Sequence, residues 1–371
     1  MTVDADAVVV GAGIAGAAAA WALAEHMRVV LVERETAPGI HATGRSAAML
    51  SETSGHPVVG ALARASRAFM VRPPDGFCET PLTAPRGLAW IGRAGDTKLL
   101  DDLVATATSV TATVRRLSPA EAHELLPGFR PEAIAGGAVH EPDAVALDAA
   151  ALLQGFVGGA RRRGAELLTA SEAIRARRGS AGARWVVTVG ERELTCDHIV
   201  NAAGAWGDVV ASRCGVAPIG LRPLRRTAAI VPAPDWTSAW PLVMDVAGRF
   251  YVEPETGGLL LSPADETDCE PCDARPEEID VARSLDALAE ATEIPVRSVR
   301  RTWAGLRTFT ADRVPVLGED PAATGFWWLV GQGGAGIKTS PAMAALLAAE
   351  MIGAEPLDAE LADQLSPRRL R

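Results

Sequence analysis

A short apolar run, DAVVV at residues 6–10, is followed by GAGIAG and then by an alanine-rich stretch reaching about His26. The β-branched run predicts a buried parallel strand and the alanine-rich stretch a helix. The next apolar run, RVVLVE, predicts a second strand ending at Glu33. Much later, CDHIVNAAGAWGDVVA (196–211) reads as a strand running into a turn of small residues. FWWLVGQGGAGIKTSPAMAALLAAEMIG (326–353) reads as a strand, a glycine-rich turn and a helix. Between 218 and 265 the pattern changes to short strands punctuated by turns, such as RTAAIVP, RFYVEP and GLLLSP. An α/β pattern at both ends therefore frames a region of antiparallel character.

The glycines carry the first chemistry. Gly11, Gly13 and Gly16, with Ile14 and Ala15 between them, stand where a tight turn lets backbone approach a pyrophosphate and a helix pack closely on its strand. Glu33, followed by Arg34, lies 20 residues after Gly13, where a carboxylate accepts hydrogen bonds from a ribose diol. Strand, motif, helix, strand and acidic residue in register predict a dinucleotide site. The loop ETAPGIHATGRSAAML (35–50), with Thr43, Gly44, Arg45, Ser46 and Ala48, offers amides and a guanidinium to the rest of the pyrophosphate. Ser171–Ile174, including Ala173, is expected on an edge strand near the adenine. Ala203, Gly204 and Trp206 mark a second close approach of backbone to ligand. Gly333, Gly334, Gly336, Ile337, Lys338 and Thr339 mark a third. Three such turns spread over the whole chain suit a long, extended, buried cofactor, so FAD, held without a covalent bond, fits better than NAD.

Composition narrows the class. A formal charge of -10 over 371 residues argues against a nucleic-acid or anionic-membrane surface. The uncharged run Ala7 to Ala24 has about the length of a minimal membrane span, but its glycines fall in a phosphate-loop pattern, and a buried strand and helix explain it better. With no signal peptide in evidence, a cytoplasmic protein without an integral membrane segment is expected. Five cysteines at unrelated spacings make a disulfide framework unexpected. The pair Cys269/Cys272 reads CEPC in an acidic stretch that looks like a surface loop, with no second pair nearby, and no metal site is expected.

The stretches VVGAGIAGA, HATGRSAA, SRAF, PPDGFCE, NAAGAW, LRP with RRTA, FY at 250–251, SPAD, TWAGLR, QGGAGIKTS and LSPRRL, in this order, resemble the D-amino-acid oxidase superfamily. Within it they look most like bacterial FAD-dependent D-arginine dehydrogenase. The resemblance implies a Rossmann-type FAD-binding domain assembled from residues 1–47, 141–217 and 312–371. It also implies an interleaved antiparallel-sheet substrate domain from 48–140 and 218–311. It further implies that Arg226, Arg307 and Tyr251, the only tyrosine, grip the substrate carboxylate. Arginine suits this, because its planar fork matches a carboxylate bidentately and stays charged. Met49, Ser51, Ser54, Leu88, Gly305 and Gly334 fall on the implied substrate pocket.

Departures from that pattern point away from arginine as substrate. Leu88 stands where the arginine-specific relatives place a glutamate, and burying an unpaired cation beside a leucine is costly. Met49 and Ser54 replace a histidine and a tyrosine of the lid loop. Glu52 on the same loop offers another route to a negative partner. Lys338, one of only two lysines, replaces a glutamine and is expected at the flavin pyrimidine edge, where an ammonium would stabilise charge on the reduced ring. The expected reaction is oxidative deamination of a neutral or hydrophobic D-amino acid, by hydride transfer from Cα to the flavin, with the electron acceptor left open. The alternatives are an L-, N-alkyl or cyclic amino acid, a cationic D-amino acid, and a flavin-binding protein without catalysis.

Overall fold

The computed structural model describes residues 2–108, 111–179, 184–355 and 358–371. A six-stranded sheet runs in the order Glu166–Leu168, Val29–Val32, Ala7–Val10, His198–Asn201, Phe326–Val330 and Val316–Glu319. The first five strands are parallel and the last pairing is antiparallel. Ala7–Val10, Val29–Val32 and Phe326–Val330 are buried along their whole length, as a parallel sheet covered on both faces requires. On one face lie the helices Ile14–Leu23, Ala149–Arg162 and Gly336–Met351, whose apolar sides share a single core. Ala17, Ala18, Ala19 and Ala20 are fully buried, and their small side chains let neighbouring helices approach closely. The other face is covered by a four-stranded sheet with Ala173–Arg178 at its edge.

The remaining chain builds a nine-stranded sheet whose spine is Arg222–Val231, Gly258–Ser262, Tyr251–Glu255, Leu242–Asp245, Leu88–Gly92 and Gly137–Glu141. Arg301–Phe309 pairs along Arg222–Val231 over nine residues. The sheet is antiparallel except where Leu242–Asp245 runs parallel to Leu88–Gly92. Two segments far apart in sequence meet there, so no local turn signal announces the pairing. The fold is the expected α/β architecture, with interleaved parallel and mainly antiparallel sheets.

Register decides which side chains share a face. Arg226 pairs with Gly305 and Leu224 with Arg307, while Tyr251 lies between Met244 and Ser262. Met244 pairs in turn with Trp90, and Leu242 with Leu88. Arg226, Tyr251, Arg307, Met244 and Leu88 therefore stand on one face. The helix Pro57–Val71, inside the segment expected to belong to the substrate domain, packs instead on Gly336–Met351 and contributes Val58, Leu62, Ala63 and Met70 to the first core. Among the described residues no helix is long and apolar enough to cross a membrane.

Candidate active site

The C-terminal ends of the parallel strands open into one elongated cavity, as expected for a ligand site of an open α/β sheet. Its empty space is about 1710 Å³, counted with the open mouth. The turns after Val10, Val32, Asn201 and Val330 all line it, and so does the active face of the large sheet.

Two glycines at the first turn are required by contact. Gly11 has φ +100°, and a Cβ on it would lie 2.7 Å from the Ala202 carbonyl oxygen. A Cβ on Gly16 would lie 1.8 Å from the Gly11 carbonyl oxygen, so Gly16 shapes the turn from behind and does not line the cavity. Glu33 reaches back across the turn and accepts from the Ala12 amide at 2.7 Å and the Glu35 amide at 2.9 Å. The Thr43 hydroxyl accepts from the Ile14 amide at 3.0 Å. Gly13, Ala15, Arg34, Ser46, Ala173, Ala203, Gly204 and Trp206 also line this part. Arg34 lies over the Trp206 ring at 4.5 Å, and the His41 and Trp206 rings are 4.8 Å apart. Arg45 lines the cavity too, but its guanidinium donates to the carbonyls of Ala274 at 3.0 Å and Ala304 at 2.8 Å and pairs with Asp273.

At the other end Arg226, Tyr251 and Arg307 lie together. Arg307 Nη2 donates to the Tyr251 hydroxyl at 3.5 Å. Both guanidinium carbons lie over the Tyr251 ring, Arg226 at 5.9 Å and Arg307 at 5.8 Å. Arg226 is already committed, donating to the Asp265 carbonyl at 2.7 Å and to Glu266 at 3.2 Å. Burial, and then the charge of Arg307, push its pKa down to about 10, so it stays cationic at neutral pH. Arg307 has no carboxylate partner among the described residues. Gly334 makes room for it, since a Cβ there would lie 3.1 Å from the guanidinium. Gly305, Gly333, Gly336 and Ile337 complete this wall.

Other expected site residues lie outside the cavity. Leu88 and Met49 pack with Ala144, Leu242, Trp90 and Met244 in a separate apolar cluster. Ser51 Oγ donates to Glu141 at 2.7 Å. Glu52, the candidate partner for a cationic substrate, is held by Arg67 at 2.6 Å. Gly44 is fixed against the Gly39 carbonyl, the Ala48 carbonyl accepts from Leu147, and the Thr339 hydroxyl bonds back to Ala335 within its own helix. Lys338 is the largest departure. In the first turn of its helix Ile337 faces the cavity, and one residue on, about 100° around the axis, the lysine points elsewhere. Its ammonium donates to the Ser51 carbonyl at 2.9 Å, the Ser54 carbonyl at 2.9 Å and the Ser54 hydroxyl at 2.7 Å.

Thr308 and Gln332, unremarkable in the sequence, also line the wall near Arg307, and Cys272 stands on its rim. The Thr308 hydroxyl, the Gln332 amide nitrogen and His41 Nδ1 are buried without a hydrogen-bond partner among the described residues. Such groups on a cavity wall call for a polar ligand. A dinucleotide turn at one end and orphaned donors with a free guanidinium at the other fit a long cofactor carrying a polar ring system.

The model of the family described as DAO, FAD dependent oxidoreductase, matches residues 6–350. The chain belongs to this family of FAD-dependent oxidoreductases. Glycine oxidase of Geobacillus kaustophilus is 29% identical over 366 residues, 95% of this chain and 94% of that protein. The crystal structure of glycine oxidase from Geobacillus kaustophilus superposes with a TM-score of 0.83 at 25% identity, covering 96% of both chains. Mouse mitochondrial dimethylglycine dehydrogenase is 26% identical over 238 residues, 58% of this chain and 27% of that protein. The expected superfamily is thus the one found, and two of the relatives matching over nearly the full chain are glycine oxidases rather than D-arginine dehydrogenases. FAD is the cofactor of the family, and the three glycine-rich turns and the orphaned wall groups are the residues that would hold it.

Proposed function

We propose that this flavoenzyme oxidises the C–N bond of a neutral α-amino acid, glycine or a D-amino acid with an apolar side chain. The supporting observation is Arg307, a cation without a carboxylate partner among the described residues, beside the Tyr251 hydroxyl in the cofactor cavity. Such a pair binds a substrate carboxylate with one charge-assisted fork and one hydroxyl bond. Arg226, tied to Asp265 and Glu266, adds positive field from behind. A fixed carboxylate orients the amine and Cα, and the Gly334 backbone carbonyl is the candidate acceptor for an amine proton. When bound, FAD supplies the acceptor for the hydride that leaves Cα. The hydrogen leaves with its electron pair, so the chain needs no strong base at carbon, and water hydrolyses the imino product afterwards.

The engagement of Glu52 by Arg67, which leaves that carboxylate already paired, supports a neutral side chain. The likeness to D-arginine dehydrogenase carries into this reading only as the carboxylate clamp. A second reading, an N-alkyl amino acid, is favoured by the likeness to mouse dimethylglycine dehydrogenase. Anaerobic bleaching of the flavin by glycine, paired D- and L-amino acids and N-methylglycines tests both. Bleaching by glycine or neutral D-amino acids supports the first reading, and bleaching by N-methyl compounds alone supports the second. Fast reduction by D-arginine would sink the neutral-substrate assignment.

A further inference from the structure

The CEPC motif is not a detached surface loop. Cys272 is exposed and lines the rim of the cofactor cavity, and its sulfur lies 3.5 Å from that of the half-buried Cys269. A bonded pair sits at about 2 Å, so the two sulfurs are already neighbours aimed at each other. The segment is also tied to the cofactor loop. Arg45, in the turn Thr43–Arg45, pairs with Asp273 and donates to the Ala274 carbonyl at 3.0 Å, one and two residues beyond Cys272. Cys269 and Trp206, the latter on the cavity wall, both pack against the cluster of Ala205, Ala274, Ala304 and Leu306. Nothing in substrate oxidation uses either thiol.

We propose that Cys269 and Cys272 form a reversible dithiol–disulfide site at the cavity rim, oxidised by low-molecular-weight disulfides, whose oxidised form holds FAD more firmly. The exposed Cys272, as thiolate, attacks one sulfur of the external disulfide and expels one thiolate, leaving a mixed disulfide. Cys269 then loses its proton, attacks the Cys272 sulfur and expels the second thiolate. One external disulfide is reduced to two thiols, which take up the two protons, and the two cysteines are oxidised. Burial and the neighbouring thiol push the Cys269 pKa up, which fits it for the second, intramolecular attack and leaves the first to Cys272. The closed ring stiffens residues 269–272, and through Asp273, Ala274 and Arg45 it restrains the loop that opens on the cofactor.

The test is a redox titration of the purified holoenzyme in mixtures of reduced and oxidised glutathione. Free thiols are trapped with a maleimide, and intact mass and peptide mapping follow. The expected result is one transition with a slope near 30 mV per decade, as for a two-electron couple. It removes two labelling sites, retains no glutathione, and maps to the peptide holding both cysteines. FAD release, followed as recovery of free flavin fluorescence after dilution, should be about fivefold slower from the oxidised form, as expected when a local opening is restrained. Cys269→Ser and Cys272→Ser should abolish both the transition and the difference in release. Two labelled thiols persisting in excess oxidised glutathione, or a stable glutathione adduct on Cys272, would overturn the site. Equal FAD release from both forms would overturn its coupling to the cofactor.

Discussion

Arg307 and Tyr251 owe their meeting to strand register. Each is on a strand, and the strand register alone puts both on the face that meets the cavity. Tyr251 has few polar options in its buried setting, and its hydroxyl finds Arg307. Removing the guanidinium should lose a charge-assisted contact of about 2–4 kcal/mol, so Arg307→Met should lower kcat/KM by about 30- to 900-fold. Tyr251→Phe deletes one neutral donor and should cost about tenfold. Steady-state kinetics with the substrate found in the bleaching screen read both, and FAD absorbance in each variant checks that the cofactor site is intact. A loss for Arg307→Met below fivefold would remove it from the carboxylate site. These residues stood out in the sequence only through the family resemblance of RRTA, FY and TWAGLR, since nothing in composition separates two arginines from thirty-four. Thr308 and Gln332 did not stand out, since an orphaned polar atom is visible only once its neighbours are in place.

The element scale is where Lys338 belongs. Its helix brings the ammonium to the loop after Met49–Leu50, and Glu141 holds the same loop from the large sheet. Glu141 accepts from Ser51 Oγ at 2.7 Å, from the Glu52 amide at 2.9 Å and from Thr53 Oγ1 at 2.5 Å. A lysine and a glutamate from distant elements thus hold the loop from two sides. Burial pushes the Lys338 pKa from 10.5 down to about 8, against the opposing pull of Glu141 and Glu52. The unfolded chain therefore binds the proton more readily, and stability gained from this group rises with pH through the window from about 8 to 10.5. Across that window 1.36 kcal/mol per pH unit sums to about 3 kcal/mol. Lys338→Met cannot titrate, so the stability difference, wild type minus variant, should grow by up to about 3 kcal/mol between pH 8 and 10.5. Denaturant melts at several pH values measure it, and a flat difference would place the ammonium in water. At pH 7 the same variant strands two carbonyls and should be less stable by about 2–4 kcal/mol. The sequence showed a lysine at a helix start; its direction depended on a loop 287 and 284 residues away. The helix Pro57–Val71 and the parallel pairing of Leu88–Gly92 with Leu242–Asp245 escaped for the same reason, because their partners are remote in the chain.

At the scale of the whole molecule the cofactor cavity is also a seam. Its walls come from the parallel sheet on one side and the large sheet on the other, and Arg45 crosses between them. That guanidinium leaves the cofactor loop and bonds Ala304 on the strand Arg301–Phe309, while Trp303 on the same strand donates to the Arg45 carbonyl at 3.1 Å. A ligand filling such a seam binds the folded chain alone, so it adds stability by mass action, about 2.7 kcal/mol at one hundred times its Kd. FAD should therefore raise the melting temperature of the deflavinated protein with a dependence on FAD concentration, and NAD should not. Arg45→Ala removes the guanidinium's part of the crossing, leaving the Trp303 bond to the backbone carbonyl and the glycine-rich turns in place. It should lower FAD affinity by about tenfold, the equivalent of about 1.4 kcal/mol, and separate the two halves' melting in the cofactor-free protein. Thermal scans with and without FAD, read together with fluorescence quenching of titrated FAD, distinguish the outcomes. An unchanged FAD affinity in Arg45→Ala would mean that the turns alone hold the cofactor, and that the contacts from Arg45 to the large sheet serve only to close the seam.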